Sequence, residues 1–371
     1  MKVLFAFGTR PEAIKLAPVI KEMEKYKKEF EVEICITGQH RKMLDEVLAI
    51  FSLKPTYDLN IMREDQTLFD INTRVLRGFE DILERSKPRY LIVQGDTTTA
   101  FASALAAFYK KIKVAHIEAG LRTYDKYTPF PEEMNRRFIS LIADLHFAPT
   151  AGAKRNLLQE GIAEDKIFVT GNTVIDALFM IKEKTSILTA RQLKVWNKIQ
   201  SGKIIVVTFH RRENFGKPVL AICRIIKEIV RRYKDVWVFF PVHPNPNIKR
   251  PIYQRLKGKP RVFLSPPLDY ASFIGLLEKA SLILTDSGGI QEEATALGKP
   301  VLVLREKTER PEAIEYGIGK LVKGNWERAF PDIDKMLVKK HRLKTPMRCP
   351  FGDGQAAKRI VAVFRSARER L

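Results

Sequence analysis

Cysteine is scarce: Cys35, Cys223 and Cys349 are the only thiols in 371 residues, and no CxxC pair occurs. A disulfide framework and a structural zinc site are therefore not expected, and a reducing cytoplasm is the simplest compartment. No apolar run approaches the ~20 residues of a membrane span. Residues 3–7 are too few for a signal-peptide core before Gly8-Thr9-Arg10 ends them. The six histidines are dispersed, with neither an HExxH helix nor an EF-hand loop, so no metal is expected. Glycine is missing where a dinucleotide cofactor would need it: the turn after the first apolar run has one glycine, and GxGxxG fails. No lysine follows Gly288-Gly289 in Walker fashion, which argues against a P-loop NTPase. No cofactor is expected. Tandem repeats and low-complexity segments are also absent.

What is present in excess is positive charge. Lys plus Arg number 65 against 43 Asp plus Glu, a net +22. The excess is spread out: residues 221–261 carry 11 basic and 2 acidic side chains, residues 341–371 carry 8 and 2. A solvated basic surface, nucleic acid, an acidic membrane surface and a phosphorylated substrate all fit such a balance. No helix-turn-helix, RNA-binding or zinc-finger pattern accompanies it. Neither a nucleic-acid nor a membrane partner is therefore expected.

With 45% hydrophobic and 29% charged residues, the chain is globular and long enough for two domains. Short, β-branched apolar runs at 2–7, 31–36, 90–93, 114–117, 145–148 and 167–170 alternate with helical patterns. A second series follows at 204–208, 237–240, 262–264, 282–285 and 301–304. Such alternation predicts βαβ units and parallel sheets, here two doubly wound α/β domains. Their join falls near Gly171-Asn172-Thr173. Residues 181–202 read as a polar helical connection, and 356–371 as a basic amphipathic helix.

Open α/β sheets bind ligands beyond the carboxyl ends of their strands, so the residues there are the informative ones. Gly8-Thr9-Arg10-Pro11-Glu12 places Arg10 and Lys15 at a helix start, where an anion is already favoured; a plain turn with surface charges is the alternative. After the third run, Asp96 or Thr97 reads either as a helix N-cap or as a site residue. Glu118 follows the fourth run, and Glu132-Glu133 opens a helix fourteen residues later. Asp96, Glu118 and Glu132 can converge, and crowded carboxylates disfavour one another's charge, which keeps an acid beside a base. The competing reading has Glu132 and Glu133 only complementing a helix dipole. In the second half His210, beside Arg211 and Arg212, suits acid–base work or phosphate binding, with His243 a weaker candidate. At Thr285-Asp286-Ser287-Gly288-Gly289 a strand ends, two glycines bare the backbone and a helix begins, which presents free N–H groups to a diphosphate. Glu293, nearly two turns in, suits ribose hydroxyls.

As a set these motifs resemble the non-hydrolysing UDP-N-acetylglucosamine 2-epimerase family. The runs are GTRPEAIKLAP (8–18), TGQHRKML (37–44), QGDTTTA (94–100), HIEAGLRT (116–123), YTPFPEEMNRR (127–137), VTGNTVIDA (169–177), HRRENFG (210–216), VHPNP (242–246), TDSGGIQEEA (285–294), TERPEA (308–313) and GDGQA (352–356). They span nearly the whole chain in order. The resemblance implies a glycosyltransferase-B-like α/β fold: two Rossmann-like domains whose parallel sheets face an interdomain cleft holding the nucleotide. The domains would be 1–172, joined by the C-terminal helix 357–371, and 173–356. It implies reversible C2 epimerisation of UDP-N-acetylglucosamine to UDP-N-acetylmannosamine through a 2-acetamidoglucal-like intermediate, in the cytoplasm and commonly as a homodimer. Ser287, Gly288 and Gly289 would hold the diphosphate with Arg10, Glu293 the ribose, Phe273 would pack on uracil, and Arg310 would also touch the nucleotide. Asp96, Glu118, Glu132 and His210 match the family's essential site residues, with Arg136 and Lys15 beside them; which carboxylate is the C2 base stays open.

One departure concerns Asp65, before Gln66-Thr67-Leu68. Some bacterial relatives carry arginine there as part of a second, regulatory sugar-nucleotide site, so activation by substrate is not carried over. Rival readings are a hydrolysing epimerase, whose relatives usually lack GTRPE and DSGGIQEE, and a UDP-diacetamido-uronate epimerase, whose relatives differ around LRT and YTPFPEE. A glycosyltransferase of the same fold and a basic nucleic-acid-binding protein complete them.

Overall fold

The computed structural model describes residues 1–38, 41–63, 66–182, 202–211, 214–324, 326–338 and 349–369. Asp65, Arg212 and nearly all of the expected 181–202 connection lie outside the described residues. The chain forms two compact units, Met1–Phe179 with Phe351–Leu371, and Met180–Pro350. Both have the α/β architecture expected of alternating apolar runs.

The first unit is built on a seven-stranded sheet: β1 (Lys2–Phe7), β2 (Glu31–Ile36), β3 (Tyr57–Asp58), β4 (Tyr90–Gln94), β5 (Lys113–Ile117), β6 (Leu145–Ala148) and β7 (Ile167–Val169). The order is β3-β2-β1-β4-β5-β6-β7, and every pairing is parallel. Central strands of a parallel sheet are covered on both faces, so they carry continuous rather than alternating apolar residues. Val3–Phe7 and Leu91–Val93 are accordingly buried throughout. The helix Thr98–Tyr109 packs on this sheet with alanine at 100, 102, 104, 106 and 107, all buried. The helix Ala356–Glu369 closes the unit: Phe364 sets its ring 5.3 Å from Tyr90 and 5.6 Å from Phe147.

The second unit repeats the plan with β8 (Lys203–Thr208), β9 (Val236–Pro241), β10 (Val262–Ser265), β11 (Leu282–Thr285), β12 (Val301–Val303) and β13 (Gly319–Leu321). The order is β10-β9-β8-β11-β12-β13, again wholly parallel. Its core joins Ile205 and Val207 of the sheet to Ile222, Ile226 and Ile229 of the helix Lys217–Arg232. Two strands were not expected from the sequence. β3 and β13 span two and three residues, too short for periodicity to register.

In each sheet the strand order reverses at one place, between β1 and β4 in the first unit and between β8 and β11 in the second. Such switch points open a crevice at the carboxyl ends of the strands. The loops after β1, β4, β8 and β11 are therefore where side chains can reach a ligand.

Asp176 shows how the last helix is anchored. Buried at 6% exposure, it accepts the Ala356 N–H at 3.2 Å and the Ala357 N–H at 2.9 Å. Burial pushes its pKa up to about 6, although those N–H groups pull the other way. A folded-state value above the ordinary ~3.9 means the proton is held more tightly after folding. The associated stability is complete below the unfolded value and is lost as pH rises through about 6. Asp176→Asn, neutral throughout, should melt below the parent by the widest margin near pH 4, and by less as pH rises toward 7. Paired thermal melts across that range test this; a margin that stays constant or widens contradicts it.

Among the described residues no helix is long and apolar enough to cross a membrane. None of their His, Cys, Asp and Glu side chains gather in a group able to hold a metal ion.

Candidate active site

The first unit gathers a charged cluster at its strand ends. Glu118 leaves β5 in the left-handed backbone region, with φ of 66°, a conformation uncommon for a non-glycine residue. Its buried carboxylate accepts from Lys15 Nζ, from Gln94 Nε2 and, at 2.8 Å, from Asn172 Nδ2. One ammonium and two amides from three other segments thus fix its position. Gly95 also has positive φ, and a Cβ there would sit 3.4 Å from Glu118 Oε2, so the turn after β4 runs against this carboxylate.

Asp96 lies in that turn and pairs with Arg136 Nη2, while its carbonyl accepts from Asn135 Nδ2 at 2.9 Å. Thr97, not Asp96, is the N-cap of the following helix, accepting the Ala100 N–H at 3.0 Å. That settles the choice the sequence left open and frees the Asp96 carboxylate for Arg136. Buried Arg136 also meets Glu133 at 3.3 Å. Glu133 accepts the Thr123 and Tyr124 N–H groups and so shapes the loop before its helix. Glu133 thus joins this cluster, and Glu132, the first residue of the helix Glu132–Ile142, is half-buried beside it in sequence. Arg10 is the first residue of the helix Arg10–Met23 and is partly exposed.

Two side chains beneath these loops were not singled out from the sequence. Buried Glu12 bridges the loops after β1 and β4, accepting from Thr9 Oγ1 and from Thr97 Oγ1, each at 2.7 Å. Buried His116 meets the Gly95 carbonyl through Nε2 at 2.7 Å, and burial pushes its pKa down to about 3, so the ring is neutral. Asn172 and Gln94 were likewise passed over: Gln94 directly follows an apolar run, and Asn172 looked like part of a domain join. Neither residue type announces a buried role without its partner in view.

In the second unit the switch point carries His210 and Asp286. Asp286 is fully buried, and its carboxylate accepts the His210 N–H at 3.0 Å, the Arg211 N–H at 2.9 Å and Asn214 Nδ2 at 3.0 Å. His210 Nδ1 lies 3.2 Å from Asp286 Oδ1. Burial works to raise the Asp286 pKa, but the His210 ring and these donors outweigh it and hold the carboxyl well below the usual range. His243 stacks beside His210 with ring centroids 6.0 Å apart.

Ser287 stands at the N-cap position of the helix Gly288–Ala296, without a capping hydrogen bond from its side chain. The two glycines that open it differ in kind. A Cβ on Gly288 would fall 2.3 Å from Arg310 Nη1, whereas one on Gly289 would meet nothing within 4 Å. A side chain at the first would displace the Arg310 guanidinium, whereas the second faces open space in the first turn of the helix, where an anion is favoured. Arg310 is buried and donates to Glu292 at 2.7 Å and to Glu309 at 2.5 Å, which places it against the glycine turn. Glu293 is buried and accepts from Tyr270 Oη at 3.0 Å; Phe273 is buried in the same helix as Tyr270. The expected residues thus form two groups, one in each unit.

Two Rossmann-like units, with ionised side chains at both switch points and a bare helix start beside a histidine, define an α/β protein equipped for an anionic, nucleotide-like ligand. Comparison with known proteins makes this specific. The chain belongs to the UDP-N-acetylglucosamine 2-epimerase family, whose model matches residues 21–365. It is 47% identical over 372 residues to a UDP-N-acetylglucosamine 2-epimerase of Campylobacter jejuni, covering 98% of this chain and 97% of that one. Among solved structures it is similar to the Neisseria meningitidis UDP-GlcNAc 2-epimerase bound to UDP-GlcNAc. That match has a TM-score of 0.93 and 46% identity, over 99% of this chain and 100% of the other. The Methanocaldococcus jannaschii UDP-GlcNAc 2-epimerase in complex with UDP-GlcNAc and UDP follows at 0.88 and 37%, over 99% and 100%.

Proposed function

We propose that this protein interconverts UDP-N-acetylglucosamine and UDP-N-acetylmannosamine without releasing free sugar. The observation that carries the reading is the Glu118 cluster: a buried carboxylate in a rare backbone conformation, held by Lys15, Gln94 and Asn172. So many restraints on one acid suit a group that must meet a reacting atom in a fixed geometry.

The sugar C2–H is not adjacent to a carbonyl, so its direct removal is very unfavourable. Elimination lowers the barrier. A carboxylate takes the C2 proton, the C–H electron pair becomes the C1=C2 double bond, and UDP departs with the electron pair of the C1–O bond. In the return step the UDP oxygen attacks C1 and a proton is delivered to the opposite face of C2. Asp96, Glu118 and Glu132 are the candidates for this acid–base work, with Arg136 fixing Asp96 and Lys15 fixing Glu118. The departed UDP must stay close for re-addition. Ser287, Gly288 and Gly289, with Arg10, are assigned to its diphosphate, Glu293 to the ribose and Phe273 to the uracil. His210 and Arg211 would stabilise the charge that develops on the leaving group, and Arg310 would act by holding the glycine turn.

Incubation with UDP-N-acetylglucosamine in deuterated water tests the proposal. Deuterium should enter at C2, UDP-N-acetylmannosamine should form, and free sugar should be negligible at early times. An unlabelled C2 in the product sinks the elimination route. Free N-acetylmannosamine as the main early product selects hydrolysing epimerisation instead.

A further inference from the structure

We infer that Glu12 is a positioning residue for this reaction, locking the loop that carries Asp96 to the loop that leads into Arg10. The inference rests on the function proposed above and adds a residue to it.

Glu12 is 1% exposed, so it acts through its neighbours and not on substrate. Oε2 accepts the Gly8 N–H at 3.1 Å, the Thr9 N–H at 2.8 Å and Thr9 Oγ1 at 2.7 Å. Oε1 accepts Thr97 Oγ1 at 2.7 Å. One carboxylate therefore closes the turn after β1 with one oxygen and reaches across to the turn after β4 with the other. Thr97 cannot reorient freely, because its hydroxyl also accepts the Ala100 N–H. Its single proton is thus directed at Glu12, and Asp96 is the preceding residue.

The second unit solves the same problem in the same way. There buried Asp286, after β11, accepts N–H groups of His210 and Arg211, after β8. In both units an acid on one side of the switch point binds the loop on the other side. A carboxylate suits the task because it is acceptor-only and its two oxygens can take several donors at once. Burial pushes Glu12 up to about 7, even though all four donors favour the ionised form. An acid so costly to bury, with every donor around it taken from these two loops, has a purpose beyond capping its helix.

Glu12→Gln separates the two halves of the link. The amide oxygen can still serve the Gly8 and Thr9 donors. The amide NH2 then faces Thr97, whose hydroxyl proton loses its acceptor. The turn after β1 is kept, while the charge-assisted tie to the Asp96 loop is replaced at best by a weaker, reversed bond from the amide NH2 to Thr97 Oγ1. Displacing a catalytic group by about 1 Å can cost ~10²-fold in rate.

The test measures steady-state epimerisation of UDP-N-acetylglucosamine, with UDP affinity by calorimetry, in the full chain. Glu12→Gln should lower kcat by at least about tenfold while KM and the Kd for UDP stay within about twofold, since an interaction confined to the transition state shows in kcat. Thr97→Ala should give a similar loss, Thr97→Ser should recover most of it, and the double variant Glu12→Gln/Thr97→Ala should be no slower than about twofold below the worse single one, the non-additivity of a shared path. A Glu12→Gln kcat within about twofold of the parent overturns the inference, as do additive losses. If Glu12→Gln does not fold, Thr97→Ala against Thr97→Ser decides, and equal rates for the two overturn it. A folded parent that does not turn over the sugar nucleotide sinks the proposed function itself, and that result is seen before any variant is made.

Discussion

Replacing Glu118 by glutamine is expected to lower kcat for UDP-N-acetylglucosamine by roughly 10²–10⁴-fold, the range spanned by a positioned general acid or base. The substitution keeps size and a hydrogen-bonding carbonyl but removes the charge and the ability to take a proton. Two further effects can be foreseen from its partners. Lys15 would remain buried opposite a neutral amide, and breaking a buried pair on one side costs about 3–5 kcal/mol. The variant should therefore melt several degrees lower while still folding cooperatively. UDP affinity should be nearly unchanged, because the groups assigned to the nucleotide are, Arg10 apart, on the second unit. The informative readout is deuterium entry at C2 under single-turnover conditions, measured on protein shown by calorimetry to bind UDP. A variant that binds UDP and exchanges the C2 proton at the parent rate would remove Glu118 from the chemistry and leave Asp96 and Glu132 as candidates for the base.

The fold was largely legible, because parallel strands buried on both faces announce themselves as apolar runs. The runs at 2–7 and 31–36 coincide with β1 and β2 to the residue. The candidate site was legible in outline, since residues after strands are few and the chemical types there stand out. What could not be read was which neighbour takes which role. Asp96 and Thr97 are both good caps, and only the presence of Arg136 draws Asp96 away. Glu132 and Glu133 stand four and three residues before Arg136, and both spacings let side chains meet on a helix, so the pairing of Glu133 with Arg136 is visible only in the fold. Glu12, Gln94, His116 and Asn172 are different. Each is polar, each is buried, and each has a partner 21 to 85 residues away, on a loop brought close through sheet order. Burial of a polar group is a tertiary fact, and a single sequence carries no trace of it.

The second large effect is expected at His210 and Asp286, which should behave as one unit. Asp286 is ionised, buried and oriented by three donors. Its Oδ1 faces His210 Nδ1 at 3.2 Å, so Asp286 holds the proton on Nδ1 and Nε2 is the nitrogen left to serve a substrate, donating to a developing anion when it too carries a proton. His210→Ala is expected to lower kcat/KM by about 10²–10³-fold, the loss typical when one stabiliser of a developing anion is removed. Asp286→Asn should approach that loss although the imidazole is still present, because a neutral amide no longer offers the counter-charge that supports a ring protonated on both nitrogens. The double variant should be little worse than either single one, as for groups that act together. The pH dependence of stability separates this from simple unfolding. The Asp286 value lies below that of the unfolded chain, so its contribution is present above the ordinary ~3.9 and fades as pH falls below it. Asp286→Asn should therefore melt below the parent at neutral pH, with the gap narrowing in acid, whereas the kinetic loss at neutral pH should persist at temperatures well below both melting points. Additive kinetic losses would show that Asp286 and His210 act independently, and a fully active Asp286→Asn would confine the carboxylate to holding the loop after β8.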